Sequence, residues 1–264
     1  MAGSGKTFVE RLIFMKVQLG EVIQEQACTI EYFLHPEGGE RGMVIVFPGG
    51  AYHHLAPHEA IPVAEKFVEL GFHAAVCMYR TNPVTYPVPL EDARNAVKYT
   101  REHAEELGVK PNNIAVLGFS AGGHLAGMVS NMPGSAESRP DASILCYPVL
   151  SSDPAICNIW SYHNLFGNDL PAEEYAEFDW TKQAHKNTPP AFLWHTIPDT
   201  SVPVANSINY ALKLKELDID VELHIYPHGP HGLGLGDRPG HEGKYAEVKS
   251  WPMLCARFLK DRGW

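Results

Sequence analysis

The sequence predicts one α/β domain over residues 1–264, with a doubly wound, mostly parallel sheet and helices on both of its faces. Short apolar runs alternate with helical patterns through most of the chain, and this rhythm is typical of strands joined by crossover helices. The 264 residues suffice for one large core and leave little for a second. The sequence has no internal repeat or low-complexity linker that would divide it.

Seven runs are predicted as strands. The first alternates polar with apolar residues, and the others are mostly apolar, which suits strands that are buried on both faces. The predicted strands are residues 28–35, 43–50, 72–80, 113–120, 142–150, 191–196 and 221–227.

Five segments between the strands have helical patterns. In residues 89–107, one apolar face includes Ala93, Val97 and Leu107, and Gly108 follows where a left-handed residue commonly ends a helix. The predicted helices are residues 61–70, 89–107, 121–130, 202–217 and 245–260.

Residues 151–190 interrupt this alternation and are predicted to form a short lid or substrate-binding insertion. An irregular stretch of this length between two strands is often functional. The alternative is a surface excursion that is packed by its own aromatic side chains. The aromatic residues of the insertion are Trp160, Tyr162, Phe166, Tyr175, Phe178 and Trp180.

Composition argues against several kinds of partner. The formal net charge is −10 without a Lys/Arg-rich run, so neither nucleic acid nor a membrane is an expected partner. The five cysteines are scattered and never spaced C-x-x-C, so no disulfide framework, metal site or cofactor site is predicted. The apolar run at residues 12–15 is too short for a signal-peptide core, and the predicted location is the cytoplasm.

The segment from Gly3 to Thr7 resembles the end of a phosphate-binding loop. It lacks the first glycine of that motif and the strand that precedes it. We therefore expect no nucleotide site there.

The candidate nucleophile is Ser120. It is the centre of a G-x-S-x-G pattern, from Gly118 to Gly122, between a predicted strand and a predicted helix. This pattern is typical of a tight strand-to-helix turn, in which small neighbours leave the hydroxyl projecting above the sheet. The alternative is a passive serine at a glycine-rich helix start.

The candidate base is His231. A serine hydroxyl is a poor nucleophile until a base accepts its proton. His231 lies in the loop after the last predicted strand, where this arrangement delivers its base. His228 is the alternative, but Gly229 and Gly232 around His231 leave it free to approach Ser120.

The candidate acid is Asp199, which is predicted to orient His231. It follows the strand at residues 191–196 and precedes a helix, which gives the chain order Ser, Asp, His. Asp153, after the preceding strand, is the alternative acid.

Backbone amides are predicted to stabilise the oxyanion that forms during hydrolysis. The segment Pro48 to Tyr52 follows an early buried strand, and its glycines allow amides to point into the site. The predicted donors are Gly50, Ala51 and Ala121. A plain glycine turn is the alternative.

Other histidines give weaker signals. His124, one turn past Ser120, is predicted to be a structural hydrogen bonder, and His195 a satisfied core histidine near Asp199. His54 and His58 have i, i+4 spacing, but Pro57 interrupts it and no glutamate lies between them, so no metal pair is predicted.

Five segments occur together and in order: FPGGAY, YRTNP…YPVPLEDARNAVKYTRE, NIAVLGFSAGGHLA, PPAFLWHTIPDTSVPV and LHIYPHGPHGLGL. From about Met43 to the C-terminus, the chain resembles the carbohydrate acetylesterases, acetyl-xylan esterase-like, of the α/β-hydrolase superfamily. The resemblance implies an α/β-hydrolase fold, and its triad matches Ser120, Asp199 and His231. Ala51 is a departure, because related loops often carry a third glycine there.

The resemblance implies a serine carboxylesterase that removes acetyl groups from plant-type oligosaccharides through an acyl-enzyme, without a cofactor. Flat aromatic faces suit sugar rings, so Tyr52, Trp160 and Trp180 are predicted to bind a small-molecule or oligosaccharide ester. The alternatives are a small peptidase or amidase of the same fold and a catalytically silent binding protein.

Overall fold

An eight-stranded sheet runs through the middle of the molecule in a computed structural model, which describes residues 12–238, 240–241 and 243–264. The segment from Gly3 to Thr7 lies outside the described residues. The strands are β1 (Ile13–Ile23), β2 (Gln26–Leu34), β3 (Arg41–Phe47), β4 (His73–Met78), β5 (Val109–Phe119), β6 (Ala142–Cys146), β7 (Ala191–Thr196) and β8 (Val221–Tyr226).

The strand order is β1-β2-β4-β3-β5-β6-β7-β8, and β2 runs antiparallel to both of its neighbours. The other neighbouring strands pair in parallel. In their register, Phe47 of β3 lies opposite Gly118 of β5, and Phe119 lies opposite Cys146 of β6. The loops that follow these strands therefore start side by side at one edge of the sheet, where open α/β sheets bind their ligands.

Helices cover both faces of the sheet. One core forms where α2, α4 and α7 pack on one face, and a second forms where α1 and α8 pack on the other. The helices are α1 (Ile61–Glu69), α2 (Val88–Glu102), α3 (Ala104–Leu107), α4 (Ala121–Asn131), α5 (Ile159–Phe166), α6 (Trp180–Gln183), α7 (Ala205–Glu216) and α8 (Trp251–Lys260).

The structure confirms the predicted fold and all seven predicted strands. It adds β1, an edge strand whose side chains are mostly exposed, although Met15, Val17 and Leu19 alternate along it and pack against one core. The helix predicted at residues 89–107 divides into α2 and α3, and Gly108 ends α3 with a left-handed φ of 65°. The last helix begins later than predicted, because a 3-10 helix at Val248–Ser250 precedes it.

The insertion at residues 151–190 contains α5, a 3-10 helix at Ala172–Phe178 and α6. Much of its packing is internal, since the ring of Tyr175 stacks between Tyr162 and Phe166 with centroid separations of 5.1 Å to each. Asp179 is fully buried and accepts hydrogen bonds from Ser151 and Ser152, which ties the end of the insertion to its beginning. No helix in the described ranges is long and apolar enough to span a membrane.

Candidate active site

Ser120 occupies the turn between β5 and α4, with φ 53° and ψ −117°. Such a backbone conformation is costly for a residue with a side chain, so the surroundings must enforce it. A Cβ atom at Gly118 would lie 2.0 Å from the carbonyl oxygen of Gly122, and a Cβ at Gly122 would lie 2.1 Å from the carbonyl oxygen of Phe47. The turn can therefore form only with glycine at these two positions, which explains the motif.

Ser120, His231 and Asp199 form a continuous chain of hydrogen bonds. Nε2 of His231 lies 2.8 Å from Oγ of Ser120, and Nδ1 lies 2.6 Å from Oδ2 of Asp199. Because an ionised carboxylate can only accept, Nδ1 carries the proton and Nε2 is free to accept from the serine hydroxyl. The structure thus brings together all three side chains that the sequence predicts as a triad.

Asp199 is held by more partners than the sequence indicates. Its Oδ1 accepts hydrogen bonds from the amides of Ser201 and Val202, at 3.0 and 2.9 Å. Burial by itself raises the pKa of Asp199, but hydrogen bonds from His195 and His231 outweigh it and hold that pKa well below the ordinary aspartate value. The carboxylate therefore stays ionised beside the imidazole.

His195 is a supporting residue of the site as well as a core histidine. It is fully buried, its Nδ1 lies 2.8 Å from the hydroxyl of Ser207, and its Nε2 lies 2.8 Å from the carbonyl of Val202 and 3.3 Å from Oδ2 of Asp199. The sequence predicts only a satisfied core histidine at this position. Its position four residues before Asp199 was the available signal.

The two alternative residues lie elsewhere. The side chain of His228 is 73% exposed, and its Nδ1 lies 3.2 Å from a carboxylate oxygen of Glu247. Asp153 is exposed and accepts a hydrogen bond from the amide of Ala155 within its own turn. Neither side chain takes part in the hydrogen-bonded chain that contains Ser120.

Residues 48–52, here called the oxyanion loop, follow β3 and lie beside the nucleophile. A Cβ atom at Gly49 would lie only 3.1 Å from the Cβ of Ser120. All five carbonyl groups of the loop accept hydrogen bonds, whereas the amides of Gly50, Ala51 and Tyr52 have no acceptor among the described residues. In order from the carbonyl of residue 48 to that of residue 52, the donors are Tyr79, Ala56, His53 with His54, Asn164 and Asn82.

This pattern leaves amides available beside a nucleophile. The amide of Ala121, at the N-terminus of α4, also donates no hydrogen bond within the described part of the chain. Free amides in such a place can stabilise negative charge that develops on a bound carbonyl oxygen. The assignment of Gly50, Ala51 and Ala121 as donors stays a prediction.

Ala51 and Tyr52 both have left-handed backbone conformations, with φ of 53° and 56°. Each such residue costs on the order of 1–3 kcal/mol unless it is glycine, and is kept only where the surroundings fix it. Here the carbonyls of both residues are fixed by Asn164 and Asn82, at 2.8 and 2.7 Å. The positive φ also explains why a glycine at position 51 suits loops of this kind.

The insertion contacts two of the loops that form the site. Asn158, which caps α5, donates to the carbonyl of Ser201 in the loop of Asp199, and Asn164 donates to Ala51 in the oxyanion loop. Trp160 lies one helical turn before Asn164, on the same side of α5, and is 69% exposed. It therefore presents an exposed aromatic ring on the helix that contacts the oxyanion loop, and its role in substrate binding stays a prediction.

Two predicted substrate-binding residues are corrected by the structure. Trp180 is only 2% exposed, and its ring packs against Phe178, His124 and the small residue Gly127. Tyr52 is 1% exposed, and its hydroxyl lies 2.8 Å from Nδ1 of His124. The prediction that these side chains contact a sugar directly is therefore wrong, because the packed core separates both of them from solvent.

The remaining predicted histidines have structural contacts. His124 is buried together with Tyr52, to which it is hydrogen-bonded. Burial lowers the pKa of His124 to about 4. Nε2 of His58 lies 3.0 Å from the carbonyl of Gly232. No group of three or more His, Cys, Asp or Glu side chains within residues 12–238, 240–241 and 243–264 is arranged to hold a metal ion.

Two family models match parts of the chain. A model described as the prolyl oligopeptidase family matches residues 88–252, and a model described as BD-FAE matches residues 32–142. Among solved structures, the chain is similar to the acetyl ester-xyloside bifunctional hydrolase from Caldicellulosiruptor lactoaceticus. The identity is 36% and the TM-score 0.81, over 90% of this chain and 89% of that one.

Two curated relatives are also similar in sequence. The chain is 32% identical over 207 residues to the acetylxylan esterase of Xylanibacter ruminicola, which covers 76% of this chain and 43% of that protein. It is 35% identical over 220 residues to endo-1,4-beta-xylanase B of Butyrivibrio fibrisolvens, which covers 78% of this chain and 34% of that protein. The chain thus spans less than half the length of both curated relatives.

Proposed function

The chain belongs to the prolyl oligopeptidase family of α/β-hydrolases, and we propose that it is a serine carboxylesterase that removes acetyl groups from acetylated carbohydrates. The observation that carries this proposal is the hydrogen-bonded chain from Asp199 through His231 to Ser120, with distances of 2.6 and 2.8 Å. Free amides beside Ser120 add to it, because acyl transfer requires both a nucleophile and oxyanion donors.

In the proposed reaction, Ser120 attacks the ester carbonyl and passes its proton to Nε2 of His231. Asp199 holds the imidazole in the required tautomer and stabilises its positive charge. The oxyanion accepts hydrogen bonds from amides of the oxyanion loop and of Ala121. His231 then protonates the leaving sugar oxygen, which departs as a hydroxyl group. A water molecule that His231 deprotonates attacks the acyl-enzyme, and acetate leaves as the proton returns to Ser120.

The substrate class is supported by the similarity to proteins that act on acetyl esters and xylosides. Trp160 offers an exposed aromatic ring at the side of the site, and the faces of such rings suit the apolar faces of sugars. An acetylated neutral oligosaccharide, rather than an anionic lipid, also fits the net charge of −10. The cytoplasmic location and the lack of nucleic-acid or membrane partners stay predictions.

An amidase or peptidase activity is the second candidate, and the family name favours it. The same triad cleaves amides when the site accepts a peptide. An acylated peptide would place its acyl group against the same amides. The two candidates therefore differ in the leaving group.

Release of acetate from acetylated xylo-, manno- and gluco-oligosaccharides tests the proposal. We expect rapid release that is absent from Ser120→Ala, and a steep fall in the hydrolysis of p-nitrophenyl esters from acetyl to octanoyl. A panel of N-acyl peptides, measured with the same protein, tests the second candidate. Peptide cleavage without acetate release, or a preference for octanoyl esters, would contradict the acetylesterase proposal.

A further inference from the structure

Glu59 is a buried acidic residue that none of the steps above uses. It ends the 3-10 helix at Pro57–Glu59, just after the oxyanion loop, and is only 2% exposed. A buried carboxylate is costly unless it is hydrogen-bonded. Its partners therefore indicate why the fold keeps it.

One oxygen of Glu59 holds the oxyanion loop. Oε2 accepts a hydrogen bond of 2.8 Å from the amide of Gly49. Gly49 directly precedes Gly50 and Ala51, whose amides are predicted to bind the oxyanion. This bond therefore fixes the start of the loop. It also satisfies the amide of Gly49, which is therefore not free to donate to an oxyanion.

The other oxygen of Glu59 holds Tyr147, which follows β6. The hydroxyl of Tyr147 donates to Oε1 at 2.6 Å and accepts from the amide of Gly234 at 2.8 Å. Burial, together with the charge of Glu59, raises the pKa of Tyr147 well above its ordinary value, so the hydroxyl keeps the proton that it donates. Gly234 lies three residues after His231, in the segment at residues 227–236 that we call the base loop.

The ring of Tyr147 also contacts the base. Its centroid lies 4.9 Å from that of the His231 imidazole, with an angle of 68° between the planes. A second link runs in parallel, because His58 is bonded to Gly232 of the base loop. Residues 58 and 59 are therefore bonded, directly or through Tyr147, to Gly232 and Gly234, which follow His231 in the base loop.

We propose that Glu59 and Tyr147 are a pair of positioning residues that fixes the oxyanion loop relative to the base loop. The inference rests on the proposed function, since it assigns the pair to the same reaction. Neither side chain is hydrogen-bonded to a member of the triad, and Tyr147 meets His231 only through its ring. The pair acts by holding the amides of Gly50 and Ala51 at the right distance from the proton path of His231.

The consequence is specific to the transition state. The ester carbonyl is only weakly bound by oxyanion donors before attack, whereas the tetrahedral intermediate depends on them. A loop that shifts by about 1 Å can reduce the rate about 100-fold. Loss of the pair should therefore lower kcat and leave KM nearly unchanged, whereas a purely structural role would lower the melting temperature alone.

Two variants test the pair. Glu59→Gln keeps the shape but cannot accept from both Gly49 and Tyr147, since one of its two terminal atoms is a donor. Tyr147→Phe keeps the ring beside His231 and removes only the hydroxyl. Matched controls are Asp141→Asn, which alters a carboxylate that accepts from the amide of Ile114 elsewhere, and Tyr210→Phe, which removes a buried hydroxyl near Asn131.

The measurements are kcat and KM on p-nitrophenyl acetate, the rate at which a p-nitrophenyl phosphonate labels Ser120, and the melting temperature. We expect a fall of about 10- to 100-fold in kcat and in labelling for each variant, with KM within about 2-fold. The double variant should be no slower than the slower single variant, because the two residues act as one unit. The controls should retain wild-type kcat.

Unchanged kcat and labelling in folded variants would overturn the inference, as would a loss confined to KM or equal losses in the controls. Tyr147→Phe decides the question if Glu59→Gln does not fold, since it removes one oxygen atom. Phosphonate labelling does not depend on the natural substrate. It therefore decides the positioning role even if acetate release fails, so that the failure of the proposed function is distinguishable.

Discussion

The turn at Ser120 and the insertion at residues 151–190 lie at the same edge of the sheet but are specified in different ways. At the turn, close backbone contacts at Gly118 and Gly122 leave room for no other residue type. In the insertion, two tryptophans twenty residues apart differ in exposure, since Trp160 is 69% and Trp180 2% exposed. Local geometry therefore identifies a functional residue more securely than aromatic composition does.

The largest effect that this comparison predicts is the loss of the hydroxyl at the turn. Ser120→Ala should lower kcat by about 10⁴-fold or more, because the other triad members act only through that hydroxyl. The melting temperature should change little, since the change removes one oxygen atom. Near-normal turnover of p-nitrophenyl acetate by the purified variant would remove Ser120 from the mechanism.

Two histidines three residues apart should differ almost as strongly. His231→Ala should reduce kcat to nearly the level of Ser120→Ala. His228→Ala should change kcat by less than about 2-fold, because its side chain is exposed, contacts Glu247 and takes no part in the hydrogen-bonded chain of the triad. Parallel kinetics on the two variants provide the measurement, and the reverse order would assign the base to His228.

Asp199→Asn should lower kcat by about 10⁴-fold, because an amide at this position favours the imidazole tautomer that cannot accept the serine proton. The contribution of Asp199 to the stability of the fold also depends on pH, and this dependence has a definite sign. Because the native pKa of Asp199 lies below its unfolded value, its charge stabilises the fold above the unfolded value of about 3.9 and does so less as the pH falls. The stability difference between wild type and Asp199→Asn should therefore shrink on acidification in urea titrations. A constant difference from pH 7 to about pH 3 would show that the carboxylate is not held as described.

The smallest effects separate the two tryptophans of the insertion. Trp160→Ala should weaken activity on acetylated oligosaccharides about 5- to 10-fold and leave p-nitrophenyl acetate and the melting temperature almost unchanged, because an exposed stacking contact contributes roughly 1 kcal/mol. Trp180→Ala should instead lower the free energy of unfolding by about 3–5 kcal/mol, because it leaves a cavity in the core. Equal losses on both substrates for Trp160→Ala would make that residue structural.

Much of the fold and of the triad could be predicted from short stretches of sequence. Buried strands are short apolar runs, and a catalytic residue that follows such a run is placed by the strand itself. The edge strand β1 was not predicted, although Met15, Val17 and Leu19 alternate with Lys16 and Gln18 in its sequence. The apolar run at its start was weighed only as a possible signal-peptide core, so this alternation was a missed signal.

Contacts between distant residues could not be predicted in this way. Tyr147 and Glu59 are 88 positions apart, and Ser120 and His231 are 111 apart. The second pair was predictable because each residue follows a strand of one parallel sheet, whereas Glu59 lies in an irregular segment with no such rule. The burial of Trp180 and Tyr52 likewise depends on side chains from other elements that pack over them, since the apolar character of a ring favours burial and substrate contact alike. Local sterics and strand periodicity act within a few residues and can be seen in the sequence, while the partner of a buried carboxylate is chosen by the packing of the whole chain.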